Sequence, residues 1–77
     1  MPAAPVFTEH QREIIRQLAR GRYLEEIAAD LGVHLSTVNA HVRKFERKLG
    51  VKGKRQIPAA YMEATGDNPY PQRSHSQ

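Results

Sequence analysis

The stretch Ile27-Ala28-Ala29-Asp30-Leu31-Gly32-Val33-His34-Leu35-Ser36-Thr37-Val38 decides the fold. On its N-terminal side, Leu24, Ile27, Ala28 and Leu31 recur at i, i+3, i+4 and i+7, the spacing of one helical face. On its C-terminal side, Val38, His41, Val42, Phe45 and Leu49 make the inward stripe of a second helix. Only Gly32-Val33-His34-Leu35 lies between them, and a link that short sets two helices at a steep angle, as in a helix-turn-helix. Ala28 is small where the helices cross, and Gly32, four residues later, can take the positive φ that begins the turn. Val33 and Val38 fill the space beneath it.

Working outward, Thr8 can cap an earlier helix, with Gln11 at the third position where a capping box wants Glu or Gln. Ile14, Ile15, Leu18 and Ala19 form its apolar stripe, Arg16 and Arg20 sit near its cation-favouring end, and Gly21 stops it. Glu25 and Glu26 occupy the first turn of the next helix, the end that favours acids. Gly32 ends that helix and Gly50 ends the one after it. A fourth segment carries Ile57, Ala60, Tyr61 and Ala64 at helical spacing and closes at Gly66. If this helix starts at Pro58 the ring costs nothing, and if it starts near Lys54 it should kink. The expectation is an all-α domain of four helices over residues 7–66, with a flexible leader at 1–6 and a polar, Pro-broken, disordered tail at 67–77.

Composition narrows the function. At 77 residues there is room for one small domain and none for a site between two lobes. With no Cys, disulfides, thiolate zinc sites and cysteine nucleophiles are all excluded. No long apolar run or signal-peptide pattern occurs, so a cytoplasmic location, with no membrane partner, is expected. The formal charge of +4 is local: residues 41–55 hold seven of the 12 Lys and Arg, and Glu46 is their one acid. Such a block can neutralise phosphates and release counterions, although an isolated charge run is more often a solvated helix face. Here the block continues from the third helix, whose outer side presents Ser36, Thr37, Asn39, Ala40, Arg43, Lys44 and Arg47. A polar, uncharged start followed by cations suits a helix whose N-terminal end enters the major groove.

Phe7-Thr8, Arg12-Glu13-Ile14-Ile15, Leu18-Ala19, Gly21, Glu26-Ile27-Ala28, Leu31-Gly32-Val33, Thr37-Val38, His41 and Lys48-Leu49-Gly50-Val51 resemble the LuxR/FixJ/GerE-type DNA-binding domain. The resemblance covers roughly residues 7–64. It implies that the third helix reads double-stranded DNA and that the fourth pairs two protomers. Members usually carry a receiver or ligand-binding domain in front; no room for one exists here, so the stand-alone type is expected, acting at a bacterial nucleoid. Carried over by position, Asn39, Ala40 and Arg43 would read bases; Ser36, Thr37, Lys44, Arg47, Lys54 and Arg55 would hold phosphates. Ile57, Ala60, Tyr61 and Ala64 are either intramolecular core or a dimer face, and the expectation is a dimer face. The chain departs from the family pattern at several places. Tyr23 and Leu24 replace a polar Ser-Asn-like helix start, Glu25 stands where Lys is common, His34 takes a Ser cap position, and Asn39 replaces a frequent Lys. The first three weaken the phosphate clamp at that end.

Other chemistries find little support. His41 lies on the inward stripe and is expected to be packed or backbone-bonded. His10, His34 and His75 lack zinc spacing, so no metal and no cofactor is expected. Adjacent Glu25 and Glu26 point about 100° apart and cannot share a substrate. Ser36 has no triad partners nearby in sequence, and no catalytic residue is assigned. The expected function is a sequence-specific transcription regulator, a homodimer on an inverted repeat, with RNA polymerase as a further partner. The alternatives are an adaptor that uses this fold to modulate RNA polymerase or a larger regulator, and a promoter-reading module of the sigma-factor kind.

Overall fold

In the computed structural model, which describes residues 6–71, the chain enters its first helix through Thr8. Gln11 N–H donates to Thr8 Oγ1 at 3.1 Å and Thr8 N–H donates to Gln11 Oε1 at 3.0 Å. This reciprocal capping box satisfies amides that a helix start leaves without partners. Helix α1 then runs Glu9–Ala19, α2 Leu24–Leu31 and α3 Leu35–Leu49. A 3₁₀ turn, Lys54–Gln56, leads into α4, Ile57–Thr65. No strand occurs among the described residues, and the four-helix, all-α architecture is the one the periodicity implies. Residues 1–5 of the expected leader and 72–77 of the expected tail lie outside the described residues.

The link between α2 and α3 is built on Gly32, at φ 68° and ψ 34°. That left-handed backbone lets Val33 N–H reach back to Ala28 O at 3.0 Å, closing the end of α2 and turning the chain within three residues. The start of α2 has no hydroxyl cap. Tyr23 occupies the cap position without a side-chain bond, and instead Glu26 accepts the Tyr23 N–H at 2.9 Å. One half of a capping box therefore remains where the Ser-like half is gone. At α3, His34 likewise supplies no side-chain cap.

One core joins all four helices: Ile14 and Ile15 from α1, Ile27 and Ala28 from α2, Val38, Val42 and Phe45 from α3, and Ile57 and Tyr61 from α4. Phe7 completes it from outside the helices. Its ring meets Phe45 at 5.8 Å between centroids and Tyr61 edge-on at 5.1 Å. Lys48 Nζ sits 4.7 Å over the Phe7 ring and donates to Val6 O at 2.6 Å. The last turn of α3 thus holds the approach to α1 in place.

Two expectations about α4 resolve here. Pro58 is the second residue of the helix, after the 3₁₀ turn, so its missing N–H belongs to the amides that have no intrahelical acceptor anyway. The dimer-face expectation for the Ile57, Ala60, Tyr61 and Ala64 stripe is corrected for Ile57 and Tyr61. Ile57 is 0% and Tyr61 2% exposed within a single protomer, with Ala60 and Ala64 half-buried beside them. Phe7 supplies the aromatic surface that Tyr61 covers, so the large residues of the stripe are used internally while Ala60 and Ala64 keep part of their surface. Beyond Gly66, Tyr61 Oη donates to Asp67 Oδ2 at 2.5 Å, and Pro69 is buried.

Candidate nucleic-acid interface

The core face of α3 fixes which residues its other face presents. With Val38, Val42 and Phe45 inward, Ser36, Thr37, Ala40, Arg43, Lys44 and Arg47 are exposed and Asn39 is half-buried. Along the helix this orders neutral hydrogen-bonding groups first and cations last. Among the described residues no ion pair balances those cations. Among the described residues, ion pairs occur on α1 alone: Arg12 with Glu9 at 2.7 Å, and Arg16 with Glu9 and Glu13 at 2.9 and 3.1 Å. The guanidinium of Arg12, followed by that of Arg16, holds the Glu9 carboxyl below its ordinary value. Glu46, the one acid in the basic block, accepts the Gly53 N–H at 2.8 Å and so ties α3 to the loop that follows it. Arg43, Lys44 and Arg47 are left as a net positive stripe.

Two concave places hold residues of the expected phosphate set. Ser36, Thr37, Ala40, His41 and Lys44 line a pocket of about 360 Å³ on α3. Leu18, Gly21, Arg22, Tyr23, Lys54 and Arg55 line a tighter cleft of about 230 Å³, where the α1–α2 link faces the 3₁₀ turn. Within that cleft Lys54 Nζ stands 5.7 Å from the centroid of the Tyr23 ring, which is 67% exposed. The sequence-derived phosphate set therefore divides. Ser36, Thr37 and Lys44 come together in the pocket, Lys54 and Arg55 in the cleft, and Arg47 lies in neither. Asn39, Ala40 and Arg43 follow one another along α3. Arg22 and Tyr23 were not assigned a role from sequence; the signal was the aromatic residue standing where the pattern wants Ser. A third hollow, of about 600 Å³ between α1 and α4, contains Arg12 and Arg16, but their charge is already met by Glu9 and Glu13.

Residues 5–60 match the family described as bacterial regulatory proteins, luxR family. The chain belongs to this luxR family. The spore germination protein GerE of Bacillus subtilis (strain 168) is 36% identical over 52 residues, which make up 68% of this chain and 70% of GerE. The Probable transcriptional regulatory protein NarL of Mycobacterium tuberculosis (strain ATCC 25618 / H37Rv) is 39% identical over 61 residues, 79% of this chain and 28% of NarL. The regulatory protein SdiA of Escherichia coli (strain K12) is 37% identical over 60 residues, 78% of this chain and 25% of SdiA. The chain thus spans less than a third of the length of NarL or SdiA. The luxR family is one of regulatory proteins, not of enzymes. Among the described residues of this luxR-family chain, no helix is long and apolar enough to cross a membrane, and no group of three or more metal-ligating side chains forms.

His41 lines the α3 pocket together with Lys44. Burial, then the neighbouring His10 and Lys44, hold its imidazole below the ordinary histidine value. It is packed, as its position on the inward stripe implies, against Phe45 at 6.0 Å between centroids. Its Nδ1 has no hydrogen-bond partner among the described residues.

Proposed function

We propose that this luxR-family chain is a sequence-specific, double-stranded-DNA-binding transcription regulator that acts at the nucleoid in the bacterial cytoplasm. The observation that carries the reading is the outer face of α3: neutral polar groups at its start, then three exposed cations with no acidic partner among the described residues. A major groove accepts such a helix N-terminus first, and the flanking phosphates meet the cations. Asn39 can pair with the exposed edge of adenine, Arg43 can fork onto guanine, and the Ala40 methyl can meet a thymine methyl. Ser36, Thr37, Lys44 and Arg47 on α3, with Lys54 and Arg55 across the cleft, supply backbone contacts. Being a homodimer on an inverted repeat is part of the proposal, with half-sites about one helical turn apart. Since Ile57 and Tyr61 are internal, pairing through α4 would use its outward side, around Ala59, Met62 and Glu63.

The test is recovery of bound fragments from sheared host DNA at about 150 mM salt, followed by sequencing. Enrichment of a two-fold-symmetric motif supports the dimer on an inverted repeat. An asymmetric motif keeps the DNA reading and removes the dimer. Retention only at low salt, with no enriched motif, overturns sequence-specific reading and favours the adaptor alternative, in which the fold serves RNA polymerase or a larger regulator.

A further inference from the structure

His41 combines two features that the base and phosphate contacts above leave unexplained. Its Nδ1 is buried with no hydrogen-bond partner among the described residues, and it lines the pocket that Ser36, Thr37, Ala40 and Lys44 complete. A neutral imidazole carries its proton on one nitrogen. Placing it on Nδ1 would bury a donor with nothing to receive it, and unpaired buried donors are the costly kind. The proton therefore belongs on Nε2, the other ring nitrogen of a side chain that lines the pocket. Ser36 and Thr37 add hydroxyl donors, and Lys44 adds the charge.

We propose that this pocket seats one phosphate of the DNA backbone and that His41 donates to it from Nε2. The proposal rests on the DNA-binding reading and adds to it a fourth phosphate ligand, one that the inward periodicity of α3 hides. It also adds a proton linkage. The titratable and charged groups that face His41 are His10 from α1 and Lys44 from its own helix. Both act against a positive imidazole in the free protein, as does burial. A phosphate in the pocket reverses the local field, because it neutralises Lys44 and stabilises a positive ring. The second proton goes to Nδ1, whose lack of an acceptor burdens the free and the bound protein alike, so the phosphate still moves the titration point up. DNA binding then draws a proton onto His41, and by linkage the affinity increases as pH falls, about tenfold for each unit by which the phosphate raises the titration point.

The experiment uses the unmodified protein and a random-sequence duplex of about 20 base pairs at about 50 mM salt, where backbone contacts dominate. The His41 ring signal is followed by NMR from about pH 8 to about pH 5.5, with and without duplex. The titration point is expected to move up when the duplex is bound. In parallel, acidification over that range is expected to tighten binding about three- to tenfold more in wild type than in His41→Gln, which keeps an N–H donor but cannot titrate. A His10→Asn background separates the neighbour's contribution. A His41 titration point that stays put or falls on binding overturns the proposal, whether or not His41→Gln folds. A wild-type protein that binds no duplex under these conditions overturns the DNA reading itself, and this proposal with it.

Discussion

Shortening Ile57 tests the core assignment of α4 directly. The side chain is fully buried within one protomer, so Ile57→Val removes one methylene from a closed site and Ile57→Ala removes most of the side chain. Buried substitutions of these kinds cost about 0.5–1.5 and about 2–5 kcal/mol respectively, because the lost transfer energy is joined by a cavity that relaxes only partly. The described domain of residues 6–71 should have a total stability of only about 3–10 kcal/mol at typical per-residue values. Ile57→Ala should therefore leave it marginal or unfolded, while Ile57→Val should remain measurable. With a urea slope of about 1 kcal/mol/M for so small a domain, Ile57→Val should lower the midpoint by about 0.5–1.5 M. The assay is urea unfolding followed by far-UV circular dichroism at two protein concentrations tenfold apart. A core residue predicts the same drop at both concentrations. If the drop appeared only at the higher concentration, or if Ile57→Ala cost less than about 0.5 kcal/mol, Ile57 would be an interface residue and the packing argument would be wrong.

Three further outcomes follow from the α3 face and its surroundings. Arg43→Ala should cost about 1–3 kcal/mol on the preferred site and blur one position of it, whereas Lys44→Ala should weaken all sequences alike and flatten the salt slope by about 1; filter binding across a panel of duplexes and salt concentrations reads both. Glu25→Lys replaces an exposed acid in the first turn of α2, close in sequence to Arg22 and Tyr23 of the cationic cleft. Non-specific DNA affinity should rise and the salt slope steepen, and unchanged values would separate the cleft from the DNA. Free of DNA, the protein should lose stability as pH falls through the range below about 6.5. The imidazole of His41 is held below its ordinary value in the fold, so the unfolded chain takes up its proton first; above that range both states are neutral and the contribution is flat. Thermal melts of wild type and His41→Gln between about pH 8 and pH 5 should diverge only at the acidic end.

Much of this molecule could be read from spacing. The α2–α3 pair follows from Ala28, Gly32, Val33 and Val38 because each has one steric duty in a short turn, and the Thr8–Gln11 box is local by nature. Where partners are distant in sequence, reading stops. The stripe of α4 has the same pattern whether it covers Phe7 or a second protomer, and only the folded position of Phe7 decides between them. Gln17 looks like a surface residue but is 3% exposed, because its amide donates to Asp30 Oδ2 at 2.8 Å on the neighbouring helix. Lys54 meets the Tyr23 ring across 31 positions of chain, and no local rule predicts that the residue replacing a helix cap would stand in a cleft of cations. Glu46 reads as partial neutralisation of the basic block and is instead a brace for the Gly53 amide. For His41 the periodicity finds the packing, but it gives no hint of the orphaned nitrogen.

The hold of Lys48 on Val6 and Phe7 has a mechanical consequence. The segment ahead of α1 and the C-terminal part of α3 share one anchor, made of a hydrogen bond, a cation over a ring and one aromatic contact. Tension on residue 6 therefore bears directly on the same rod that carries Asn39, Ala40 and Arg43, as well as on α1 through the chain. A fluorophore, purification handle or surface tether attached there is not a neutral attachment. It loads the far end of that rod, and attachment chemistry that spares the Val6 carbonyl and the Phe7 ring leaves the rod at rest.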